Sequence, residues 1–165
     1  MVGSFGPDAK ENKPFPHAAD ERYPIIIKRD GTWLYNGSPI GRPELVRLFS
    51  TVLNLDDSGN YWLITPAERG RITVEDVPFI GVELLAEGDT LKIRTNVEDI
   101  VTIDSIHPLI MSNGVPYVTV RAGLKARLNQ ASYYELAGHA VEHEGKMGVW
   151  SAGQFFVIGE AGHDA

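Results

Sequence analysis

The chain has 165 residues, 43% hydrophobic and 22% charged, the balance of an ordinary soluble globular protein with one domain or two small ones sharing a core. A net charge of −7, with Lys and Arg scattered, argues against nucleic acid as the main partner, because counterion release needs clustered cations. The absence of cysteine removes disulfides, thiol catalysis and Cys-ligated metal sites together.

The N-terminal MVGSFGPDAKENKPFPHAADERYP holds little to bury, so residues 1–22 read as a flexible tail. It has no apolar stretch resembling a signal-peptide core, and no segment approaches the roughly 20 apolar residues that span a bilayer. A soluble, cytoplasmic protein is expected. From Tyr23 the pattern changes: 25–29 and 32–35 read as strands joined by an Asp30-Gly31 type I′ turn. Asn36-Gly37 turns the chain again, and Pro43 opens a helix to about Leu53 with Leu45, Leu48, Phe49 and Val52 as its apolar positions. Strands at 61–64 and 69–75 follow.

The middle is strand and turn: 79–86, 90–95, 100–103, 109–111, then Asn113-Gly114, 115–121 and 124–128. Ser132 with Glu135 three residues on spells a capping box, predicting a helix over 133–143 that Gly145 stops. Strands 147–151 and 154–158 close the chain around Ala152-Gly153. Hairpin–helix–hairpin thus occurs twice, at 24–76 and 112–160, and an offset of 88 superposes the helices. The predicted architecture is α+β: a half at 23–77 and a half at 78–165, related by duplication, with antiparallel sheets each covered by one helix. Trp33, Leu48, Phe49, Trp62, Phe79, Leu136, Trp150 and Phe156 are the expected core.

The segments GTWLYNGSPIGRPELVRLFSTVL, TPAERGRITVEDVPF, GLKARLNQASYYELA and GVWSAGQFFVIG resemble a bacterial family of unassigned function, the domain-of-unknown-function family numbered 1285. The resemblance spans about residues 22–160. It implies a duplicated α+β core, a second half like a pleckstrin-homology barrel, a groove between the halves holding a nucleotide-like ligand, and a part in signal transduction.

Several patterns imitate catalytic motifs. His139-Ala-Val-Glu142-His143 matches H-x-x-E-H, in which two His one helical turn apart hold zinc and the Glu activates water. On a short helix, a terminal His is equally a cap interacting with the macrodipole. Around Ser151, a nucleophile elbow fails because Val149 stands where Gly is required. Asp56, Ser58 and Asn60 begin like a calcium loop, but Tyr61 and Ala67 occupy the positions needing Gly and Glu.

Two polar constellations remain. One is Thr65, Glu68, Arg69 and Arg71; the other is Arg121, Lys125 and Arg127 beside Tyr133 and Tyr134, near a helix N-terminus that favours anions. Arg42, ahead of the first helix, is the positional counterpart of Arg127. The favoured reading is a non-catalytic module without cofactor or metal that senses a phosphate-bearing, nucleotide-like molecule. Arg121 and Arg127 would take the phosphate and Tyr133 or Tyr134 the base or sugar, with Arg42, Thr65, Glu68 and Arg71 on the facing wall. A signalling protein would read the bound state. The alternatives are a metal-dependent hydrolase using His139, Glu142 and His143, and a protein-interaction module without a small ligand.

Overall fold

The computed structural model describes residues 22–160, which form two compact units divided after Pro78. Of the predicted tail, Arg22 opens the first strand and the rest lies outside the described residues. Unit one runs β1 (Arg22–Ile27), β2 (Trp33–Tyr35), β3 (Ser38–Pro39), α1 (Pro43–Ser50), β4 (Leu53–Leu55), β5 (Tyr61–Ile64) and β6 (Arg69–Val74). Its six strands make one sheet in the order β3-β2-β1-β6-β5-β4. All neighbours are antiparallel except β1 and β6, which are parallel.

Ile25 and Ile27 alternate inward along β1 and, with Trp33, Leu53, Leu63 and Ile72, form the buried face. Helix α1 docks through Phe49, whose ring stacks on Trp33 at 6.2 Å. Leu48, expected in the core, is 49% exposed because it sits about 100° around the helix from Phe49. The helix also ends three residues early. The N–H groups of Thr51 and Val52 fold back onto Leu48 and Phe49 carbonyls at 3.1 Å, and Leu53 then pairs with Leu63 in the sheet. β-branched Thr51 and Val52 favour that exit. The Asp30-Gly31 turn is not type I′: Gly31 donates to the Lys28 carbonyl at 2.9 Å, and of the pair Gly31 alone has positive φ.

Unit two contains β7 (Phe79–Glu87), β8 (Thr90–Thr95), β9 (Ile100–Thr102), β10 (Leu109–Ser112), β11 (Val115–Arg121), β12 (Leu124–Leu128), α2 (Gln130–Ala137), β13 (Val141–His143), β14 (Lys146–Ser151) and β15 (Gln154–Glu160). Its large sheet has the order β10-β11-β12-β7-β8-β9, again with one parallel pair, β12 on β7. Each large sheet is therefore two three-stranded meanders joined along its first and last strands. The duplication lies in these sheets, residues 22–74 and 79–128, rather than at an offset of 88. The helices are not equivalent, since α1 falls between the two meanders of its sheet and α2 follows the second.

Helix α2 starts earlier and stops earlier than the capping box predicts. Asn129 is the N-cap, its side chain accepting from the Ser132 N–H at 2.8 Å. Ser132 is buried inside the helix and donates to the Gly81 carbonyl at 2.9 Å, tying α2 to β7. Gly138, rather than Gly145, ends the helix, its N–H reaching the Tyr134 and Glu135 carbonyls.

The remaining strands form a three-stranded sheet, β13-β14-β15. Val149 and Phe156 on its inner face complete a core with Leu84, Leu91, Ile93, Ile103, Leu109, Val118, Leu128 and Leu136. At one corner the fully buried Ser151 hydroxyl accepts from the Leu91 N–H at 2.8 Å and donates to the Ile103 carbonyl at 2.7 Å. The Ala152 N–H adds a bond to the Asp89 carbonyl at 2.9 Å. On the other side, β15 lies along β10. The barrel expected here is thus a half-barrel, with the small sheet wrapped onto the large one.

Candidate functional site

Strand β12 alternates strictly: Leu124, Ala126 and Leu128 are buried, while Lys125 and Arg127 point to the opposite face. Its partner β11 places Thr119 directly across from Lys125 and Tyr117 across from Arg127. Two cations and two hydroxyl groups therefore share one surface of adjoining strands. Beyond them, at the end of β11, the Arg121 guanidinium lies 5.6 Å from the centre of the Phe79 ring. All five side chains are half-buried, and Arg127 Nε is shielded from solvent.

The predicted tyrosines do not join this set. Tyr133 packs against the core cluster on the side of the sheet that α2 covers, whereas Arg127 faces away from that core. Closeness in sequence is cancelled by the two-residue period of the strand. Tyr134 is 83% exposed on α2. The helix terminus also differs from the expectation, because Asn129 already satisfies the Ser132 N–H.

In unit one, Arg42 is the N-cap residue of α1, exposed and 3.6 Å from Glu44, an ion pair that ties it to its own helix. Thr65 is buried and organises the β5–β6 turn. Its hydroxyl accepts from the Ala67 and Glu68 N–H groups at 3.3 and 3.1 Å and faces the Glu68 carbonyl at 3.2 Å, so it does not line an open wall. Glu68 and Arg71 are half-buried, and Glu68 Oε2 and Arg71 Nε lack hydrogen-bond partners. The Arg71 guanidinium lies over Trp62, 5.4 Å from the ring centre.

The calcium-like turn is closed on itself. Asp56 accepts from Trp62 Nε1 at 2.8 Å and from the Ser58 and Asn60 N–H groups. The Trp62 bond leads the backbone donors in holding this carboxyl below its ordinary value, against the opposing effect of burial. Asp104 likewise is lowered: burial opposes its charge, but His107 and Ile106 donors outweigh it.

The H-x-x-E-H motif is not helical. His139 lies beyond the end of α2, and Glu142 and His143 belong to β13, where neighbouring residues alternate faces. His143 instead packs against Trp150 and Phe155, at ring separations of 4.9 and 5.0 Å. Among the described residues no group of three His, Asp or Glu side chains could hold a metal ion. The single helix face that this motif requires is therefore not formed.

Sequence reading missed Tyr117. The Ala122-Gly123 hairpin pairs Arg121 with Leu124, and that register alone would set Tyr117 opposite Leu128. A bulge between Thr119 and Arg121 shifts it to Arg127. Pairing registers and bulges leave no local residue signature here.

Two crystal structures resemble the chain closely. A DUF1285 family protein from Silicibacter pomeroyi DSS-3 is 36% identical, with a TM-score of 0.77 over 85% of this chain and 81% of that one. A DUF1285 family protein from Shewanella baltica OS155 is 27% identical, with a TM-score of 0.63 over 72% of this chain and 93% of that one. No curated protein matches the chain. Family models match residues 15–77 as the N-terminal domain and 78–158 as the C-terminal domain, so the chain belongs to the DUF1285 family of unknown function.

Proposed function

We propose that the protein is a non-catalytic ligand-sensing module that binds a phosphate-bearing small molecule on unit two. The observation that carries this is the pairing of Lys125 and Arg127 with Thr119 and Tyr117 on one face of β11 and β12. A planar guanidinium takes two phosphate oxygens at once, an ammonium adds a point charge, and hydroxyl donors complete the set. Tyr117 replaces Tyr133 as the ring that contacts a base or sugar, while Arg121, set opposite Leu124 beyond the bulge and lying over Phe79, stands off this face. In a chain of net charge −7, such a local concentration of cations favours an anion at that spot. The ligand is nucleotide-like, and a protein partner in a cytoplasmic signalling route reads the bound state.

The test is a thermal-shift screen over mono-, di- and cyclic nucleotides. A ligand at 100 times its Kd adds about 2.7 kcal/mol to stability when it binds the folded chain alone. The stabilisation should disappear in Arg127→Ala and shrink in Lys125→Ala. No stabilisation by any nucleotide, or one unchanged in both variants, would refute the assignment. In unit one, Glu68 Oε2 and Arg71 Nε are shielded polar atoms in the same turn region. Arg71→Ala in the same screen tests whether they take part.

A further inference from the structure

The outer face of the small sheet is apolar where its inner face already supplies the core. Val141, Gly148 and Val157 form one row across β13, β14 and β15, and Trp150 sits opposite Phe155 in the next. His143, Trp150 and Phe155 are mutually in contact, with ring centres 4.9 to 5.1 Å apart. The Phe155 ring lies over Gly148, so closely that a Cβ there would fall 2.6 Å from its Cζ atom. Val141, Trp150 and Val157 are 45%, 46% and 44% exposed. An aromatic and β-branched cluster of this kind, held on a rigid sheet and open to solvent, is the composition of a recognition surface.

From this we infer that the outer face of β13–β15 is a docking surface for a short extended peptide segment of another protein, carrying Arg or Lys beside an apolar residue. Two arguments select this occupant. The first is area. A stable dimer buries about 20–30 residues a side, and the five side chains of this cluster fall far short of that, which disfavours a second copy. The second is charge. Residues 141–160 carry three carboxylates, Glu142, Glu144 and Glu160, against one cation, Lys146. Glu142 alternates to the opposite face of β13, and Lys146 is itself bound to Glu160 at 2.8 Å, so the acidic group left at the rim of this face is Glu144, 3.6 Å from His143 Nε2. Two such rims repel each other, whereas a basic segment is attracted. The apolar residue of the segment rests on Val141, Phe155 and Val157, and its cation meets the Trp150 face and the Glu144 carboxylate.

The experiment is selection from a random-peptide phage library on the full-length protein, counter-selected against Trp150→Ser and repeated with Val157→Ser. Both substitutions lie on the exposed face, and circular dichroism checks that both variants stay folded. Enriched peptides should contain Arg or Lys next to an apolar residue, bind at least tenfold more weakly to either variant, and weaken in high salt. Tryptophan emission should shift to the blue on binding, since Trp150 is half-exposed while Trp33 and Trp62 are buried. Peptides that are acidic or uncharged, binding that survives both substitutions, or no enrichment over the Trp150→Ser protein would each overturn the inference. Sedimentation velocity supplies the remaining arm: a dimer that Trp150→Ser converts to monomer would replace the peptide by a second copy.

Discussion

Replacing Ser151 by Ala should damage the fold far more than the loss of one oxygen implies. The Ser151 hydroxyl has no solvent exposure and stands where two strands of different sheets meet without a backbone ladder. It accepts from the Leu91 N–H at 2.8 Å and donates to the Ile103 carbonyl at 2.7 Å. Ala leaves both partners buried in an apolar surround formed by Leu91, Ile103 and Val149. Each buried group stripped of its partner costs about 1–3 kcal/mol, so with two such groups the variant should lose about 2–6 kcal/mol. Urea unfolding followed by circular dichroism at neutral pH measures this, with Tyr134→Ser, at a side chain 83% exposed on α2, as the control expected to change little. A loss below about 0.5 kcal/mol for Ser151→Ala would show that water or a backbone shift satisfies both groups, and that the hydroxyl does not close the half-barrel.

Gly148→Ala should cost roughly 1–3 kcal/mol or more, because the new methyl collides with the Phe156 carbonyl and the Phe155 ring; unfolding midpoints would reveal it. Ala152→Asn should stabilise by about 0.5–1 kcal/mol, since Ala152 holds a φ of 54° that Asn tolerates better, and a raised Tm would confirm it. The depressed Asp56 carboxyl contributes stability above its ordinary pKa of 3.8 that is lost as pH falls through its folded value. Asp56→Asn should therefore be destabilised at pH 7 yet lose less on going to pH 3 than the wild type, as urea titrations at both pH values would show. Equal losses in the two proteins would refute that role.

Much of the fold was legible because local chemistry dictated it. Pro43 marks the start of α1, Asn113-Gly114 and Ala152-Gly153 mark tight hairpins, and period-two alternation identifies β8, β11 and β12 with their buried faces. Where the reading failed, a competing partner had won. The segment Val141–His143 is acceptable in a helix, but pairing with Lys146–Gly148 makes it a strand, and this dissolved the metal motif. Trp150 reads as core by size, yet the alternation that buries Val149 and Ser151 turns it outward.

The candidate site divides along the same line. Sequence alone determined that Lys125 and Arg127 share a face, because neighbours two apart on a strand must. It also determined composition, charge and the positions of most turns, all of which depend on residues within a few places of each other. The tertiary structure decided everything that depends on register across strands. The bulge in β11 brought Tyr117 to Arg127, and packing of α2 against the core carried Tyr133 to the other face. The joining of β12 to β7, as of β1 to β6, arises from strands some fifty residues apart. The free energy of such pairing comes from buried side chains and hydrogen-bond partners distant in sequence, so no local pattern records it.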